Sequence, residues 1–137
     1  MKSLSLGAFT FLLITLPFLL TLASEPSQEE TPVIARIWHG KTKTEKADEY
    51  ERYLREAGIS KIKAIDGNKG VQLLRKTTNG DTTEFIVISY WESVDAIKKF
   101  AGEDYWKAYQ LPRDAEFLVE PESLVQHYEL RLNDWKE

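Results

Sequence analysis

The order of predicted elements between Val33 and Leu130 constrains the fold more than any other feature of the chain. Runs with alternating apolar residues, typical of strands, are interspersed with runs whose apolar residues recur at helical spacing. The order is strand, helix, hairpin of two strands, helix, strand, which is the split β-α-β pattern. The sequence therefore predicts one α+β domain with an antiparallel sheet over residues 33–131.

Glycines, proline and capping residues set the predicted element bounds. The first strand is predicted to end near His39, with Gly40 closing it. A helix should open at Lys43 or Thr44 and stop at Gly58, and residues 59–68 should be irregular.

The second half of the domain contains a hairpin, a helix and a last strand. The strands Gly70 to Lys76 and Thr83 to Trp91 flank Asn79-Gly80, a strong hairpin signal. Ser93 is a predicted N-cap of a helix that ends at Gly102. Residues 103–110 are predicted to add a short helix, and residues 122–131 the last strand.

Both faces of the strand Thr83 to Trp91 are largely apolar. Phe85, Val87 and Trp91 alternate with Ile86 and Ile88. A sheet that is apolar on both sides needs a cover on each, and two helices cover only one. The simplest second cover is another copy of the same sheet, so we expect a homodimer.

The N-terminal segment is predicted to be separate from the domain. Lys2 precedes an uncharged apolar run from Leu4 to Ala23, which fits a signal peptide over residues 1–24. The run is also long enough for an uncleaved membrane anchor. A polar spacer over residues 25–32 and a tail over residues 132–137 would flank the domain, which we expect to be exported to the periplasm or the extracellular space.

Composition excludes several classes of partner and site. The net charge of −4 argues against a nucleic-acid partner. The absence of cysteine excludes disulfides, a thiol nucleophile and thiolate ligands. The spacing of the two histidines has no metal-ligand signature, so we predict no metal and no cofactor.

Four segments resemble the antibiotic-biosynthesis monooxygenase family: ARIWHG at 35–40, ISYWES at 88–93, FAGED at 100–104 and VQHYE at 125–129. The resemblance covers nearly the whole domain and implies a ferredoxin-like, dimeric α+β barrel. The family includes cofactor-independent oxygenases of polyphenols, haem-degrading enzymes and small proteins without known activity. Fold alone does not select among these activities.

A cofactor-independent oxygenase needs an aromatic pocket, a base and little water, so that a deprotonated substrate can give an electron to oxygen. Histidine is the side chain suited to remove a proton near neutrality, and His39, at a strand end, is the candidate base. The alternative is an exposed or capping histidine. His127 is a candidate for ligand contact, or a structural histidine of the barrel or dimer.

Aromatic side chains exceed what a core of this size needs, and they are candidates to line a pocket for a flat ligand. They are Trp38, Trp91, Phe100, Trp106, Tyr109 and Phe117. Core packing alone accounts for Trp91 and Phe100, whereas Trp106 and Tyr109 suit a lid or wall. Arg36 would orient an anionic ligand, unless it forms an ion pair between subunits with Glu129 or another strand acid.

The haem-degrading branch fits the sequence less well. Its members resemble this chain at Trp91, but they also use an asparagine on the first strand and an iron-ligating histidine after the second helix. Ala35 and Gln110 occupy these positions here. Alanine cannot replace the asparagine, and glutamine is a poor ligand for haem iron. The sequence thus favours an exported homodimer that binds a small aromatic compound or oxidises it with oxygen. The alternative is a non-catalytic binding or stress-associated module of the same fold.

Overall fold

A computed structural model describes residues 2–5, 7, 31–77 and 80–136. The predicted leader and spacer, residues 1–32, lie largely outside these residues, as do Thr78 and Asn79 of the hairpin turn. Among the residues described, no helix is long and apolar enough to cross a membrane.

Four antiparallel strands form the sheet: β1 (Ile34–Lys43), β2 (Asn68–Thr77), β3 (Thr82–Trp91) and β4 (Gln126–Glu129). Their order, β2-β3-β1-β4, confirms the ferredoxin-like fold. The predicted end of β1 at Gly40 is wrong, because Gly40 and the next three residues pair with β3. The last strand is shorter than predicted because it pairs only with Ile34–Ile37 of β1.

The helical stretch after β1 is longer than predicted. A 3₁₀ turn (Thr44–Lys46) leads into α1 (Ala47–Tyr53), a π-helical turn (Leu54–Ile59) and α2 (Ser60–Lys63). The predicted stop at Gly58 is therefore wrong. A Cβ atom at Gly58 would lie 3.2 Å from side-chain carbons of both Leu54 and Leu111, so this glycine allows close packing instead of ending the helix.

The second half contains helix α3 (Val94–Ala101) and the short helix α4 (Asp114–Phe117). As predicted, the Oγ of Ser93 caps α3 by accepting a hydrogen bond from the N–H of Ala96, and Gly102 follows its end with φ +83°. The helix predicted over residues 103–110 is wrong. The backbone there bonds to residues 123–125 instead, through Ala108 N–H to Ser123 and Val125 N–H to Trp106.

The two faces of the sheet have different surroundings. On the covered face, Phe85, Val87 and Trp91 pack with Tyr50 and Ile97 of the helices into the hydrophobic core. On the opposite, open face, residues such as Ile37, Ile86, Ile88 and Tyr90 are only partly buried. No helix of the described chain covers that face.

Candidate functional site

A cavity of about 50 Å³, here called the inner cavity, lies between the covered face of the sheet and the helices. Its walls are mainly aromatic and aliphatic, with three more polar side chains, Arg36, Ser89 and Asp114. The other lining residues are Trp38, Tyr50, Leu54, Gly58, Ile59, Ile62, Val87, Phe100, Tyr109 and Leu111. The π-helical turn forms one wall, in keeping with the frequent occurrence of such turns at functional sites.

A second cavity of about 180 Å³, the outer cleft, adjoins the first. Both are lined by Trp38, Tyr109, Leu111 and Asp114. These four side chains therefore form the wall between the two spaces. The connection after α3 supplies much of the outer cleft, including Gln110 and Pro112.

Arg36 is a buried charge in the wall of the inner cavity. Its position on β1, opposite Ser89 of β3 and His127 of β4, turns it toward the helices. The residue is 3% exposed. Nη1 donates to the carbonyl of Tyr105 and Nη2 to that of Lys107 at 3.0 Å, while Nη1 also lies 3.2 Å from Nε2 of His127.

The Arg36 guanidinium has no acidic partner among the residues described. Within the same chain, Glu129 pairs with Arg131 at 3.2 Å and not with Arg36. Burial lowers the pKa of Arg36 to about 10, so the side chain stays protonated at neutral pH. The inner cavity therefore has a guanidinium in its wall that forms no ion pair with an acidic side chain of the described residues.

His127 supports Arg36 and does not line the inner cavity. Burial, and then the charge of Arg36, lower the pKa of His127, which favours the neutral imidazole that can accept the Arg36 hydrogen bond. Its ring lies edge-on to Tyr105, with centroids 5.2 Å apart.

His39, the predicted base, lies on the other side of the sheet from Arg36. It pairs with Ile86 and so belongs to the open face, and it also lines the outer cleft. The structure does not bring His39 to the inner cavity.

The predicted aromatic residues divide between wall, core and surface. Trp38, Phe100 and Tyr109 line the inner cavity, with the rings of Phe100 and Tyr109 4.8 Å apart. Trp91 is fully buried behind them, stacked on Phe100, and its Nε1 donates to Ser89 Oγ at 2.8 Å. Trp106 is 48% exposed and lines neither space.

The buried pair of Tyr50 and Asp114 is the part of the site that sequence reasoning missed. The Tyr50 hydroxyl donates to Asp114 Oδ1 at 3.0 Å, and the Leu111 N–H donates to Oδ2 at 2.8 Å. Asp114 is 6% exposed. Burial raises the pKa of the Asp114 carboxyl. Burial also raises the pKa of Tyr50, and the nearby Asp114 carboxyl raises it further.

The described residues offer no arrangement of three or more histidine, aspartate or glutamate side chains that could hold a metal ion. The polar groups that line the inner cavity are a guanidinium, a carboxyl, the Ser89 hydroxyl and two phenols.

Comparison with known proteins identifies a family. The family model described as antibiotic biosynthesis monooxygenase matches residues 33–111. No curated protein matches the sequence significantly.

Solved structures share the fold at low sequence identity. A putative antibiotic biosynthesis monooxygenase from Bacillus cereus is 15% identical, with a TM-score of 0.54 over 77% of this chain and 99% of its own. A Nitrosomonas europaea protein of unknown function is also 15% identical, with a TM-score of 0.56 over 79% and 98%. A haem-degrading protein from Mycobacterium tuberculosis is 16% identical, with a TM-score of 0.53 over 77% and 99%.

Proposed function

Because the chain belongs to the antibiotic biosynthesis monooxygenase family, we propose that it binds a small aromatic compound with an acidic group and oxidises it with molecular oxygen. The ligand occupies the inner cavity, where Trp38, Phe100 and Tyr109 contact its ring. The substrate supplies all four electrons: one oxygen atom becomes a new carbonyl oxygen on a ring carbon, whose C–H bond breaks, and the other leaves as water with the two hydrogens lost from that C–H and from the acidic O–H, so that a phenol becomes a quinone. No cofactor is required in this scheme.

The observation that carries the proposal is the unpaired charge of Arg36. Three of the five guanidinium N–H groups have acceptors, all neutral. The remaining two have none among the described residues. A buried charge is costly without a partner. A carboxylate or phenolate in the cavity would supply that partner, and a bidentate contact is the geometry that arginine favours.

The size of the inner cavity limits the ligand. Its 50 Å³ is well below the roughly 300–1,000 Å³ of sites for drug-sized ligands. It is also smaller than the cavity of about 150 Å³ that is known to bind benzene, so a one-ring compound requires Tyr109 and Leu111 to move and join the cavity to the outer cleft. Both residues lie on a connection without regular secondary structure, which can move more easily than the sheet.

Haem degradation is not proposed for this chain. A haem is far larger than the inner cavity. Ala35, aligned with the asparagine of that branch, pairs with Tyr90 and Tyr128 on the open face. Gln110 lines only the outer cleft and offers a poor ligand for iron.

His39 stays a predicted proton acceptor for a ligand that extends into the outer cleft. Full activity of His39→Ala on an identified substrate would exclude this role.

Ligand affinity tests the role of Arg36. We expect benzoate and salicylate to bind more tightly than benzyl alcohol in calorimetric titrations. Arg36→Gln should weaken carboxylate binding by about 10- to 100-fold, the equivalent of a hydrogen bond to a charged group, and should scarcely change benzyl alcohol binding. Arg52→Gln, on the exposed side of α1, is the matched control. Equal losses for charged and neutral ligands would contradict the proposal.

Oxygen uptake tests catalysis separately from binding. Purified domain should consume oxygen with a panel of quinols and anthrone-like phenols, and Arg36→Gln should consume less. Tight binding without uptake for any compound would favour the alternative, a non-catalytic binding module, for which the same unpaired Arg36 is evidence.

We further propose that the protein is a homodimer through its open sheet face. Leu74 on β2 is 45% exposed and Tyr128 on β4 is 54% exposed. With Ile37, Ile86 and Ile88 they form one contiguous apolar patch. A contiguous patch of this kind, unlike isolated exposed apolar residues, is typical of an interface.

We also propose that the domain acts outside the cytoplasm, on the evidence of the apolar run from Leu4 to Ala23. Cell fractionation of the full chain should place it outside the cytoplasm, and N-terminal sequencing of that fraction should distinguish a cleaved leader from an anchor.

A further inference from the structure

We propose that Asp114 is the proton acceptor of the inner cavity, taking the proton from an acidic O–H of the bound aromatic compound. This inference rests on the proposed function, since it needs an aromatic ligand in that cavity. The ligand O–H bond breaks, the proton moves to a carboxylate oxygen of Asp114, and the electron pair stays on the ligand as a phenolate. Arg36 then stabilises the phenolate.

The position of Asp114 favours this role. It lines both the inner cavity and the outer cleft, so a ligand that moves from one to the other passes its carboxyl group. Two hydrogen bonds fix the side chain, from the Tyr50 hydroxyl and the Leu111 N–H. A carboxylate has about four acceptor sites, and two remain for a ligand.

The electrostatic surroundings agree with a base in this position. Asp114 faces Tyr50 of α1, with Arg36 of β1 and Tyr109 elsewhere on the cavity walls. No lysine, arginine or histidine of the described residues forms an ion pair with it. A carboxylate without a positive partner, in apolar surroundings, binds a proton more strongly than one in water. This tuning is typical of carboxylates that act as general bases.

Arg36 and Asp114 have opposite charges and line one cavity, yet they form no ion pair with each other. Direct contact would satisfy both groups. The cavity keeps them apart, so both can interact with one ligand. This arrangement suits a phenol or a phenolic acid better than a plain carboxylic acid, because only an acidic O–H uses both groups.

A chromophoric phenol, 4-nitrophenol, tests the proton transfer because its phenolate absorbs at longer wavelength than the neutral form. At a pH below the pKa of the free probe, wild-type protein should produce phenolate absorbance on binding. Calorimetry in buffers of different ionisation enthalpy should show no net proton release, because Asp114 retains the proton.

Three variants make the test specific. Asp114→Asn keeps the shape of the side chain but cannot take the proton, so the phenolate fraction should fall by about tenfold, as one pKa unit would produce. Tyr50→Phe keeps the carboxyl but removes a hydrogen bond that favours its charged form. The pH at which phenolate appears should therefore rise. Glu116→Gln, on α4 but paired with Arg113 outside the cavity, should behave as wild type.

The outcomes separate this inference from the proposed function. Binding with undiminished phenolate in Asp114→Asn would overturn the role of Asp114 alone. Absence of binding of any aromatic probe to wild-type protein would overturn both. Thermal unfolding of each variant shows whether it is folded, and Tyr50→Phe tests the same carboxyl if Asp114→Asn does not fold.

Discussion

Arg36 combines full burial with a positive charge, and its nearest side-chain partner is a second basic group. The neutral form of His127 makes this contact possible, since a protonated imidazole would be a donor facing a donor. The contact joins β1 to β4 and adds to the two carbonyl acceptors that hold the guanidinium.

Stability should therefore depend on pH through His127. Its pKa in the folded protein is lowered by burial and by Arg36, below the value of about 6.5 expected for the unfolded chain. Between these two values the unfolded state binds more protons, so the free energy of unfolding should decrease as the pH falls through about 6.5. Below the folded-state pKa this contribution levels off.

Urea unfolding of wild-type and His127→Gln protein between pH 7.5 and 5 measures the effect. The variant should lose most of the decrease, and His39→Gln should retain it. The raised pKa of Asp114 makes the free energy of unfolding depend on pH with the opposite sign. This contribution is the same in the wild type, His127→Gln and His39→Gln. An unchanged slope in His127→Gln would show that folding does not lower the pKa of His127.

At the scale of elements, the alternation of apolar residues predicted the four strands and their antiparallel order. It was less informative about where elements end. Gly58 was interpreted as a helix stop, but a tertiary contact with Leu111, far along the chain, decides its conformation. Residues 103–110 have helical composition, yet backbone pairing with residues 123–125 determines their structure.

In the candidate site too, features with a local sequence signal were predicted and features set by tertiary contacts were not. Arg36, Trp38 and Tyr109 were found because strand parity and aromatic residue type are visible in a single sequence. Asp114 was missed because it follows Pro112-Arg113, which indicates an ordinary turn, and its partner Tyr50 is 64 positions away. Side-chain pairs formed by tertiary packing have no local signal.

Strand β1 contains a close contact that should be sensitive to substitution. The Trp38 indole lies over Gly40, where an added Cβ atom would be 2.2 Å from the ring. Gly40→Ala should displace the indole from the cavity wall and cost about 1–3 kcal/mol of stability, as overpacking does. It should also weaken benzoate binding.

Chemical unfolding and calorimetric titration measure these two effects. Gly80→Ala, whose added carbon would meet nothing within 4 Å, is the matched control. Wild-type affinity in Gly40→Ala would mean that Trp38 does not shape the ligand site.

At the scale of the whole molecule, one sheet has two apolar faces but helices on only one. Ile88 lies near the centre of the open face, opposite Ile37 of β1 and Gln72 of β2. Ile88→Asp would bury an unpaired carboxylate in the proposed dimer interface. We expect it to abolish the dimer and cooperative folding.

Size-exclusion chromatography with light scattering, together with circular dichroism, tests this expectation. Lys63→Asp, at the exposed end of α2, introduces the same charge away from the sheet and should remain a folded dimer. A monomeric wild-type protein at micromolar concentration would refute the dimer, and an Ile88→Asp variant that is still a folded dimer would refute the open face as its interface.

The most direct test of the central claim is a crystal structure of the protein with bound salicylate. The account predicts the carboxylate on the free N–H groups of Arg36, the ring between Trp38 and Phe100, and Tyr109 displaced toward the outer cleft. The account would be contradicted if salicylate bound elsewhere and Arg36 kept only its hydrogen bonds to Tyr105, Lys107 and His127.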